Sequence, residues 1–391
     1  MWKKGGSSAV GSWNILSAVF PLLKRSIRYV CVFFLLLCVA EALLSLAVYF
    51  GYNGGTYFRH IKWYKDGKIS FSDFENAAGI RPQKSIFQTW FLQSDENKNL
   101  PPCPLIPPGL EGLLKVDEQV PSFQELNEKF SMLQPGGQHQ PPECLAHQKV
   151  ALIIPYRDRQ VHLKIFLNNI HPFLQRQQLD YGIYVVEMKE GIEFNRALLF
   201  NVGFTEALKQ DNYTCFIFHD VDLIPEDDRN LYRCTREPRH LSVAIDRMNY
   251  RLPYYSIFGG ASALTKNQFM LVNGFSNVYF GWGGEDDDMS QRVKSRGMRI
   301  VRYKRDVARY KSMSHAREQP NPARMNLLHK APTRFDSDGL SSLEYTKLAF
   351  ELKRLYTWIL IEVDKDAVIE KAKPVMPGRK KDAKKQGTNV S

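Results

Sequence analysis

Two groups of carboxylates in this sequence have the spacing that metal binding and proton transfer require. The first is the pair Asp220 and Asp222, which follows an apolar run. Carboxylates at positions i and i+2 can both face a divalent cation that also holds a diphosphate, and hard oxygen ligands suit manganese or magnesium. Other D-x-D patterns occur in the chain, but only this one ends a buried-strand pattern, where α/β enzymes place ligands. We therefore predict a cation site here, with a turn or capping role as the alternative.

The second group is the acidic run Glu285–Asp288, which follows Gly281-Trp282-Gly283-Gly284. The glycines permit a close approach of the backbone and leave the Trp282 loop free to move. Acidic residues are favoured at a helix start by the helix dipole, which is the purely structural explanation of this run. Four in succession exceed what capping needs, and their mutual repulsion raises the pKa of at least one carboxyl. A carboxylate in such a place can act as a general base.

Histidine and arginine side chains could complete such a site. His315 lies in a polar stretch and is a candidate metal ligand, although a lone histidine is more often structural. His219, beside the aspartate pair, competes with it for that role. Arg157 and Arg159 come just after the first predicted strand, where they can contact phosphate oxygens. Their alternative is to be ordinary surface arginines.

Strands and helices alternate in the part of the chain that carries these residues. This pattern predicts a parallel or mixed α/β sheet that binds its ligand at the carboxyl ends of the strands. No G-x-G-x-x-G follows the first strand and no G-x-x-x-x-G-K-[ST] occurs, which disfavours a dinucleotide oxidoreductase or a P-loop kinase. The predicted elements are a strand over Val150–Ile154, a helix over Gln160–His171 that ends or kinks at Pro172, a strand over Gly182–Glu187, a helix capped by Asn195, a strand over Thr214–Phe218, and a helix that the acidic run opens and Gly297 stops.

Composition excludes several other classes of protein. Hydrophobic residues make up 44% of the 391 residues and charged residues 24%, so a packed core is feasible and a disordered or fibrous protein is excluded. The net charge of +12 suggests a nucleic-acid partner at first. Half of that charge, however, lies in residues 371–391, which contain seven lysines and arginines and a single aspartate. We interpret this segment as a solvated tail and predict no nucleic-acid partner.

The N-terminal region predicts a membrane anchor. Residues 27–50 are apolar except for a few positions such as Arg28 and Glu41, contain no Gly or Pro, and are long enough to cross the hydrocarbon core. Lysines and arginines precede this run, so the positive-inside rule places the N-terminus in the cytoplasm and the rest of the chain in the lumen. The sequence Ala40-Glu41-Ala42 within the run is typical of a cleaved signal peptide instead. We favour a retained signal-anchor, because the apolar run continues past that sequence.

In a luminal location the cysteines can form disulfides and a glycosylation sequon can be used. Cys31 and Cys38 lie in the predicted span, whereas Cys103, Cys144, Cys215 and Cys234 allow three disulfide connectivities that spacing alone cannot separate. Asn212 begins an N-x-[ST] sequon. The predicted organisation is a cytoplasmic tail (1–26), a single transmembrane helix (27–50), a luminal stem (51–102), a catalytic domain (103–363) and a basic C-terminal tail (364–391).

Several motifs, in this order, resemble those of the β-1,4-galactosyltransferase family. The most specific are FHDVDLIP at Phe218–Pro225 and GWGGEDDD at Gly281–Asp288, and the resemblance covers about Cys103 to Val363. It implies a Golgi type II membrane protein whose GT-A catalytic domain is a Rossmann-like α/β fold that binds a nucleotide sugar. The other matching motifs are Pro155–Arg159, Phe194–Arg196, Phe258–Gly260 with Ser262–Leu264, Gly274-Phe275, Pro320–Pro322 and Ser337–Leu340.

The resemblance also implies a role for each matching residue. Asp222 and His315 would ligate Mn²⁺, with the diphosphate of the UDP-sugar supplying further ligands, and Asp286 would be the base that deprotonates the acceptor hydroxyl. The implied donor-binding residues are Pro155, Tyr156, Arg157, Asp158, Arg159, Phe194, Asn195, Arg196, Val221, Asp222, Trp282 and His315. The implied acceptor-binding residues are Gly284, Glu285, Asp286, Asp287 and Arg324. The implied disulfides are Cys103–Cys144 and Cys215–Cys234.

Two departures from the family pattern bear on the metal and on the donor sugar. Ser312 stands where many members have the Met of Met-x-x-His, and Met313 is one place late, so either could complete the metal site. Ile257 stands where galactose-transferring members have Tyr, before Phe-Gly-Gly, and its smaller side chain leaves room for a 2-acetamido group on the donor. The similarity is therefore closer to invertebrate β-1,4-N-acetylgalactosaminyltransferases.

These features predict an inverting transferase that moves GalNAc from UDP-GalNAc to the 4-hydroxyl of terminal β-GlcNAc on glycolipids or glycoproteins. One alternative is the same chemistry with UDP-Gal as donor. The other is a weakly active sugar-binding or helper homologue. The sequence leaves open whether the chain pairs with a second copy or with a helper membrane protein.

Overall fold

The computed structural model describes residues 100–316 and 319–373. The predicted membrane span, nearly all of the stem and the end of the basic tail lie outside the described residues. Within the described residues, no helix combines the length and the apolar character that crossing a bilayer requires.

The described residues form an α/β fold. Its helices are α1 (Phe123–Lys129), α2 (Gln160–Arg176), α3 (Arg196–Gln210), α4 (Lys266–Leu271), α5 (Glu285–Ser295), α6 (Arg324–His329) and α7 (Lys365–Lys371). Its strands are β1 (Lys149–Tyr156), β2 (Asp180–Met188), β3 (Cys215–His219), β4 (Leu223–Pro225), β5 (Arg239–His240), β6 (Ala244–Ile245), β7 (Ala261–Thr265), β8 (Val301–Arg302), β9 (Arg309–Ser312), β10 (Thr346–Leu352) and β11 (Thr357–Glu362). Short 3₁₀ turns occupy Asp246–Met248, Ala331–Thr333 and Leu340–Ser342.

The main sheet is mixed, with a parallel centre. Its strand order is β10-β11-β2-β1-β3-β7-β5-β8, and β4-β9-β6 form a second, smaller sheet. The pairs β1·β2, β1·β3 and β11·β2 are parallel, whereas β7 runs antiparallel to β3. The three predicted strands are therefore confirmed, and their carboxyl ends meet at one edge of the sheet.

The central strand β1 shows why its sequence is a continuous apolar run. Val150, Leu152 and Ile154 pack into the hydrophobic cluster on one face of the sheet, together with α2. Ala151 and Ile153 pack into the cluster on the other face, together with α3. Because successive side chains point to opposite faces, a strand covered on both sides needs an apolar residue at every position.

Helix α2 was predicted to end or kink at Pro172, and the structure contradicts the first of these alternatives. The helix continues to Arg176, and Phe173 and Leu174, which follow the proline, are buried. Pro172 cannot donate its backbone bond to the preceding turn, which costs about 3 kcal/mol in an isolated helix. Burial of the two large side chains after it offsets that cost, because each contributes about 1.5–3 kcal/mol.

Two disulfides join the described residues, with the pairing that the resemblance implies. Cys103 is bonded to Cys144, and Cys215 at the start of β3 is bonded to Cys234. By loop-closure entropy, each contributes about 3–4 kcal/mol of stability. The second one ties β3, the strand that precedes Asp220 and Asp222, to the loop before β5.

Helix α7 lies after Val363, within the segment that the sequence analysis assigned to the basic tail. Val368 and Ala372 are buried, the latter against Val278 and Tyr279. The packed part of the chain therefore extends to Ala372. The few apolar residues among the charges of this segment had not indicated a helix.

Candidate active site at the carboxyl ends of the central strands

The two carboxylate groups singled out in the sequence lie at the same edge of the sheet. β3 ends at His219, and the turn that carries Asp220 and Asp222 follows it directly. The turn is fixed in part by the Asp220 backbone N–H, which donates to the Gly260 carbonyl at 2.9 Å. The acidic run forms the first turn of α5, as predicted, and the left-handed Gly284 (φ 100°) precedes it.

The start of α3 forms a third side of the site. The Asn195 side chain caps this helix by accepting from the Leu198 N–H at 2.9 Å, and its amide donates to the Asn277 carbonyl at 2.6 Å. Asn195 is fully buried, so in this structure it acts as a cap and an anchor. The capping fixes Arg196, the first residue of the helix, with its side chain directed into the site.

Arg196 joins the two carboxylate groups. Its Nε donates to Asp220 Oδ1 at 2.5 Å and its Nη1 donates to Asp286 Oδ1 at 2.7 Å. The same Nη1 lies 3.5 Å from Glu285 Oε1. The guanidinium also stacks on the Phe200 ring, 4.6 Å from its centroid. One cation thus holds three carboxylates from two distant segments, an arrangement that the sequence did not reveal.

Burial and crowding raise the pKa of two of these carboxyls. The pKa of Glu285 rises to about 7, first because the group is buried and second because Asp286 repels its charge. The pKa of Asp220 rises to about 6, with burial again the main cause and Arg196 opposing it. The prediction that the acidic run contains a raised pKa is thereby supported, although burial contributes more than repulsion.

Glu285 provides a pH-dependent prediction. Its pKa is raised from 4.5 to about 7 in the fold, so ionisation opposes folding, and the free energy of unfolding falls as pH rises through this window. We expect Glu285→Gln to remove this fall and to increase stability by about 1–3 kcal/mol at pH 8, but not at pH 4.5. The check is thermal unfolding of both proteins at the two pH values in metal-free buffer. An equal stability difference at both would contradict it.

The predicted metal ligands are brought together. His315 Nε2 lies 3.1 Å from Asp222 Oδ2, although 93 residues separate them in the chain. An imidazole nitrogen beside a carboxylate oxygen is a donor pair that fits a divalent metal such as Mn²⁺. Arg247, which the sequence analysis missed, adds a positive charge 3.7 Å from the same oxygen. In the part of the chain that the structure describes, no cluster of three or more His, Cys, Asp and Glu could hold a metal.

The other candidates for the metal site have different surroundings. Met313 is buried in the hydrophobic cluster, and its backbone N–H donates to the Asp222 carbonyl at 2.8 Å. The Ser312 N–H donates to Asp246. His219 is buried, with Nε2 2.9 Å from the Tyr232 hydroxyl, and burial lowers its pKa to about 4. His219 is therefore a core residue.

Two of the predicted nucleotide-binding residues, Arg157 and Asp158, line an open cleft. Asp158 has a left-handed backbone (φ 49°), which turns the chain sharply after β1. Arg157 donates to the Ile192 carbonyl at 2.7 Å and stacks over Phe194. The cleft has a volume of about 570 Å³, and its lining residues are Arg157, Asp158, Glu190, Gly191, Ile192 and Glu193. Of the remaining predicted residues, Pro155 lies within β1, Tyr156 ends it, Val221 is buried, and Arg159 lies 3.3 Å from His315.

The Trp282 loop connects the donor side of the site with the segment that follows β9. The Gly281 N–H donates to the Phe194 carbonyl at 2.8 Å, and the Trp282 N–H donates to Gln319. The Trp282 side chain is 58% exposed, so its ring is available to cover a ligand. The Arg324 guanidinium lies 5.5 Å from the ring centroid, which places the predicted acceptor-binding arginine beside the loop.

The acidic residues of α5 differ in their contacts, as Asp288 and Asp287 show. Asp288 is fully buried and ion-paired with Arg292, and with Arg334 and Asp338 it forms a network that anchors the helix. Asp287 is half-buried and accepts from the Tyr254 hydroxyl at 3.3 Å. Tyr254 is a further site residue that no spacing in the sequence connects with the acidic run.

Gly259 packs directly on the predicted base. A Cβ at this position would lie 2.0 Å from Asp286 Oδ2, so a side chain cannot be added without moving the carboxylate. Asp286 is thus held by Arg196 through Oδ1 and confined by the Gly259 backbone at Oδ2.

Comparisons with known proteins agree with this site. A family model described as the N-terminal region of glycosyl transferase group 7 matches residues 103–235. A second one, described as the N-terminal domain of galactosyltransferase, matches residues 239–316. Together they span both carboxylate segments and the metal-ligand pair, and they define the chain as a glycosyltransferase.

The relatives define the family. β-1,4-Galactosyltransferase 2 of Cricetulus griseus is 39% identical over 362 residues, which cover 88% of this chain and 96% of that protein. β-1,4-Galactosyltransferase 1 of Homo sapiens is 48% identical over 269 residues, which cover 68% of each protein. The chain belongs to the β-1,4-galactosyltransferase family.

A solved structure supports the same fold. It is that of a Drosophila β-1,4-galactosyltransferase 7 mutant in complex with manganese, UDP-Gal and xylobiose. The match has a TM-score of 0.50 and 29% sequence identity, and it covers 56% of this chain and 94% of that chain. The GT-A-like α/β fold that the resemblance implied is supported by this match.

Proposed function

We propose that this protein is a Mn²⁺-dependent, inverting β-1,4-glycosyltransferase that transfers GalNAc from UDP-GalNAc to the 4-hydroxyl of terminal β-GlcNAc on glycolipids or glycoproteins. The observation that carries the proposal is the Arg196 bridge, which holds the acidic run against the aspartates of the cation site. The Drosophila relative bound to manganese, UDP-Gal and a disaccharide supports the choice of metal and of a UDP-sugar donor.

The chain's own residues account for proton removal and orientation. Arg196 occupies Asp286 Oδ1, so Oδ2 is the atom that takes the proton of the acceptor hydroxyl as it attacks the anomeric carbon. Glu285, Asp287 and Arg324 hold the acceptor sugar, and Trp282 closes over the donor and excludes water.

The cation site serves the leaving group. Asp222 and His315 would hold Mn²⁺, and the bound ion would supply Lewis-acid stabilisation of the departing diphosphate. Arg159 lies 3.3 Å from His315 and Arg247 lies 3.7 Å from Asp222. Guanidinium groups in these places can bind phosphate oxygens.

The choice of GalNAc rests on Ile257. This side chain is half-buried, two residues before the glycine that contacts Asp286, and it has no hydroxyl to occupy the space beside the donor 2-position. Because the relatives are galactosyltransferases, transfer from UDP-Gal is the alternative function. Pocket size alone discriminates by about 1–3 kcal/mol, so some galactose transfer is expected in either case.

Replacing Ile257 tests the donor assignment. We expect Ile257→Tyr to lower the ratio of kcat/KM for UDP-GalNAc to that for UDP-Gal by about tenfold or more, because the ring fills the acetamido space. Ile257→Leu, which keeps the volume, is the matched control and keeps the ratio. The assay uses the full chain with Mn²⁺ and a GlcNAc-terminated acceptor. A wild-type preference for UDP-Gal would refute the GalNAc assignment, and absence of transfer from both donors, with UDP still bound, would favour the helper alternative.

The same proposal places the protein in the Golgi membrane as a single-pass type II protein with its catalytic domain in the lumen. The two disulfides support an oxidising compartment. Asn212 is exposed between α3 and β3, as a glycosylated asparagine must be. A second copy or a helper membrane protein stays open as a partner.

A further inference from the structure

The segment Tyr255–Gly259 carries both Ile257 and the glycine that contacts Asp286, yet it belongs to no strand. β7 begins only at Ala261. Backbone carbonyls of a buried or half-buried segment outside a sheet need other hydrogen-bond donors. Here the donors are side chains from β5, β8 and the residues next to them.

Three side chains bind these carbonyls from one side. Arg302 Nη2 donates to the Tyr255 carbonyl at 3.0 Å and to the Ile257 carbonyl at 2.7 Å. Ser242 Oγ donates to the Gly259 carbonyl at 2.9 Å, and His240 Nε2 lies 2.9 Å from the same oxygen. Alternate carbonyls of the segment are therefore fixed relative to two strands of the main sheet.

The protonation of His240 follows from its partners. Arg302 Nε donates to His240 Nδ1 at 3.0 Å, and because arginine can only donate, Nδ1 is the acceptor. The proton is then on Nε2, which donates to the Gly259 carbonyl. Burial, together with the charge of Arg302, lowers the pKa of His240 to about 3, so the ring stays neutral. β5 and β8 pair in parallel with His240 opposite Arg302, which sets this contact.

We propose that Arg302, His240 and Ser242 are positioning residues. They set the distance between the Ile257 side chain and Asp286, and thereby the discrimination between UDP-GalNAc and UDP-Gal. The inference rests on the proposed function. Their hydrogen bonds with the segment are made to its backbone, and Arg302 and His240 also contact the rings of Tyr255 and Phe258. They therefore act through the segment rather than on substrate. A misplacement of about 1 Å at a reacting group can cost about 10²-fold in rate, so a small shift of this segment is enough.

The test compares donor discrimination in variants of the full chain, with Mn²⁺ and a GlcNAc acceptor. We expect Arg302→Lys and His240→Leu to lower kcat about tenfold or more and to change the ratio of kcat/KM for the two donors by at least about threefold. His240→Gln should restore the ratio, because its amide can still donate to the Gly259 carbonyl while its oxygen accepts from Arg302. Ser242→Ala removes the donor to the Gly259 carbonyl and the acceptor of the Ala261 N–H. It serves the same comparison if the larger changes prevent folding.

Arg239→Lys is the matched control. Arg239 is the neighbour of His240 on β5 and is also buried, but its guanidinium donates to the Leu231 carbonyl and stacks on Tyr303. Arg239→Lys should lower thermal stability without changing the ratio of kcat/KM for the two donors. An unchanged ratio in Arg302→Lys, His240→Leu and Ser242→Ala would overturn the inference while the proposed function stands. A wild-type chain that transfers neither sugar would overturn both.

Discussion

Asp286→Asn should lower kcat for sugar transfer by about 10²–10⁴-fold, the range that a positioned general base contributes. The asparagine keeps the size of the side chain and can still accept from Arg196, whose Nη1 lies 2.7 Å from Oδ1 in the wild type. It cannot take the proton of the acceptor hydroxyl. We therefore expect KM for the donor and the thermal stability to change little while kcat collapses, as measured with Mn²⁺, UDP-sugar and a GlcNAc acceptor.

Asp336→Asn is the control for this change. Asp336 also carries a carboxylate that pairs with an arginine, Arg296, but it is 64% exposed and lies outside the site. This variant should keep the wild-type kcat. If Asp286→Asn transferred sugar at the wild-type rate, the assignment of Asp286 as the base would be wrong.

Asp222→Asn, or removal of the metal with a chelator, should produce the second large effect. In the proposed site Asp222 and His315 would supply one oxygen and one nitrogen ligand. A Lewis acid on a leaving diphosphate contributes several kcal/mol, so its loss should lower kcat/KM by about 10²-fold or more. Added Mn²⁺ should restore the chelated wild type but should restore the variant only at much higher concentration. Two titrations with Mn²⁺ measure this effect. One follows the rate of sugar transfer, and the other follows Mn²⁺ binding in the presence of UDP by measuring the free ion.

Asp364→Asn provides the comparison for the metal ligand. Asp364 belongs to another D-x-D pattern of the chain, but it caps α7 by accepting from the backbone N–H groups of Asp366 and Ala367. Asparagine caps a helix as well as aspartate does, so this variant should keep both activity and Mn²⁺ affinity. Full activity of the wild type in excess chelator would rule out a metal-dependent reaction.

Local patterns were sufficient to predict the central strands and the helix starts. A strand that is buried on both faces is apolar throughout, which is why β1 could be read from Val150–Ile154. The cap at Asn195 and the stop before Gly297 were predicted because they depend on residues within one helical turn. Helix α2 was predicted to end too early, since the burial of Phe173 and Leu174 depends on packing rather than on local preference.

The side-chain arrangement within the site could not be predicted from spacing. Arg196 reaches Asp220 and Asp286 across 24 and 90 positions of the chain, and no periodicity relates them. The same holds for Tyr254 and Asp287, and for the two-residue strands β5 and β8, which are too short to leave a pattern. The resemblance to a family supplied the residues, but only the fold shows which of them touch.

The contact between Gly259 and Asp286 limits how this enzyme could be re-engineered. Efforts to alter its sugar preference by randomising the residues around Ile257 have to leave position 259 unchanged, because the Cβ of even an alanine would lie 2.0 Å from the Asp286 carboxylate. Variants substituted at this position would lose activity and donor selectivity together. Substitutions are better introduced at residue 257 and at Arg302, His240 and Ser242, the side chains that bind the carbonyls of its segment.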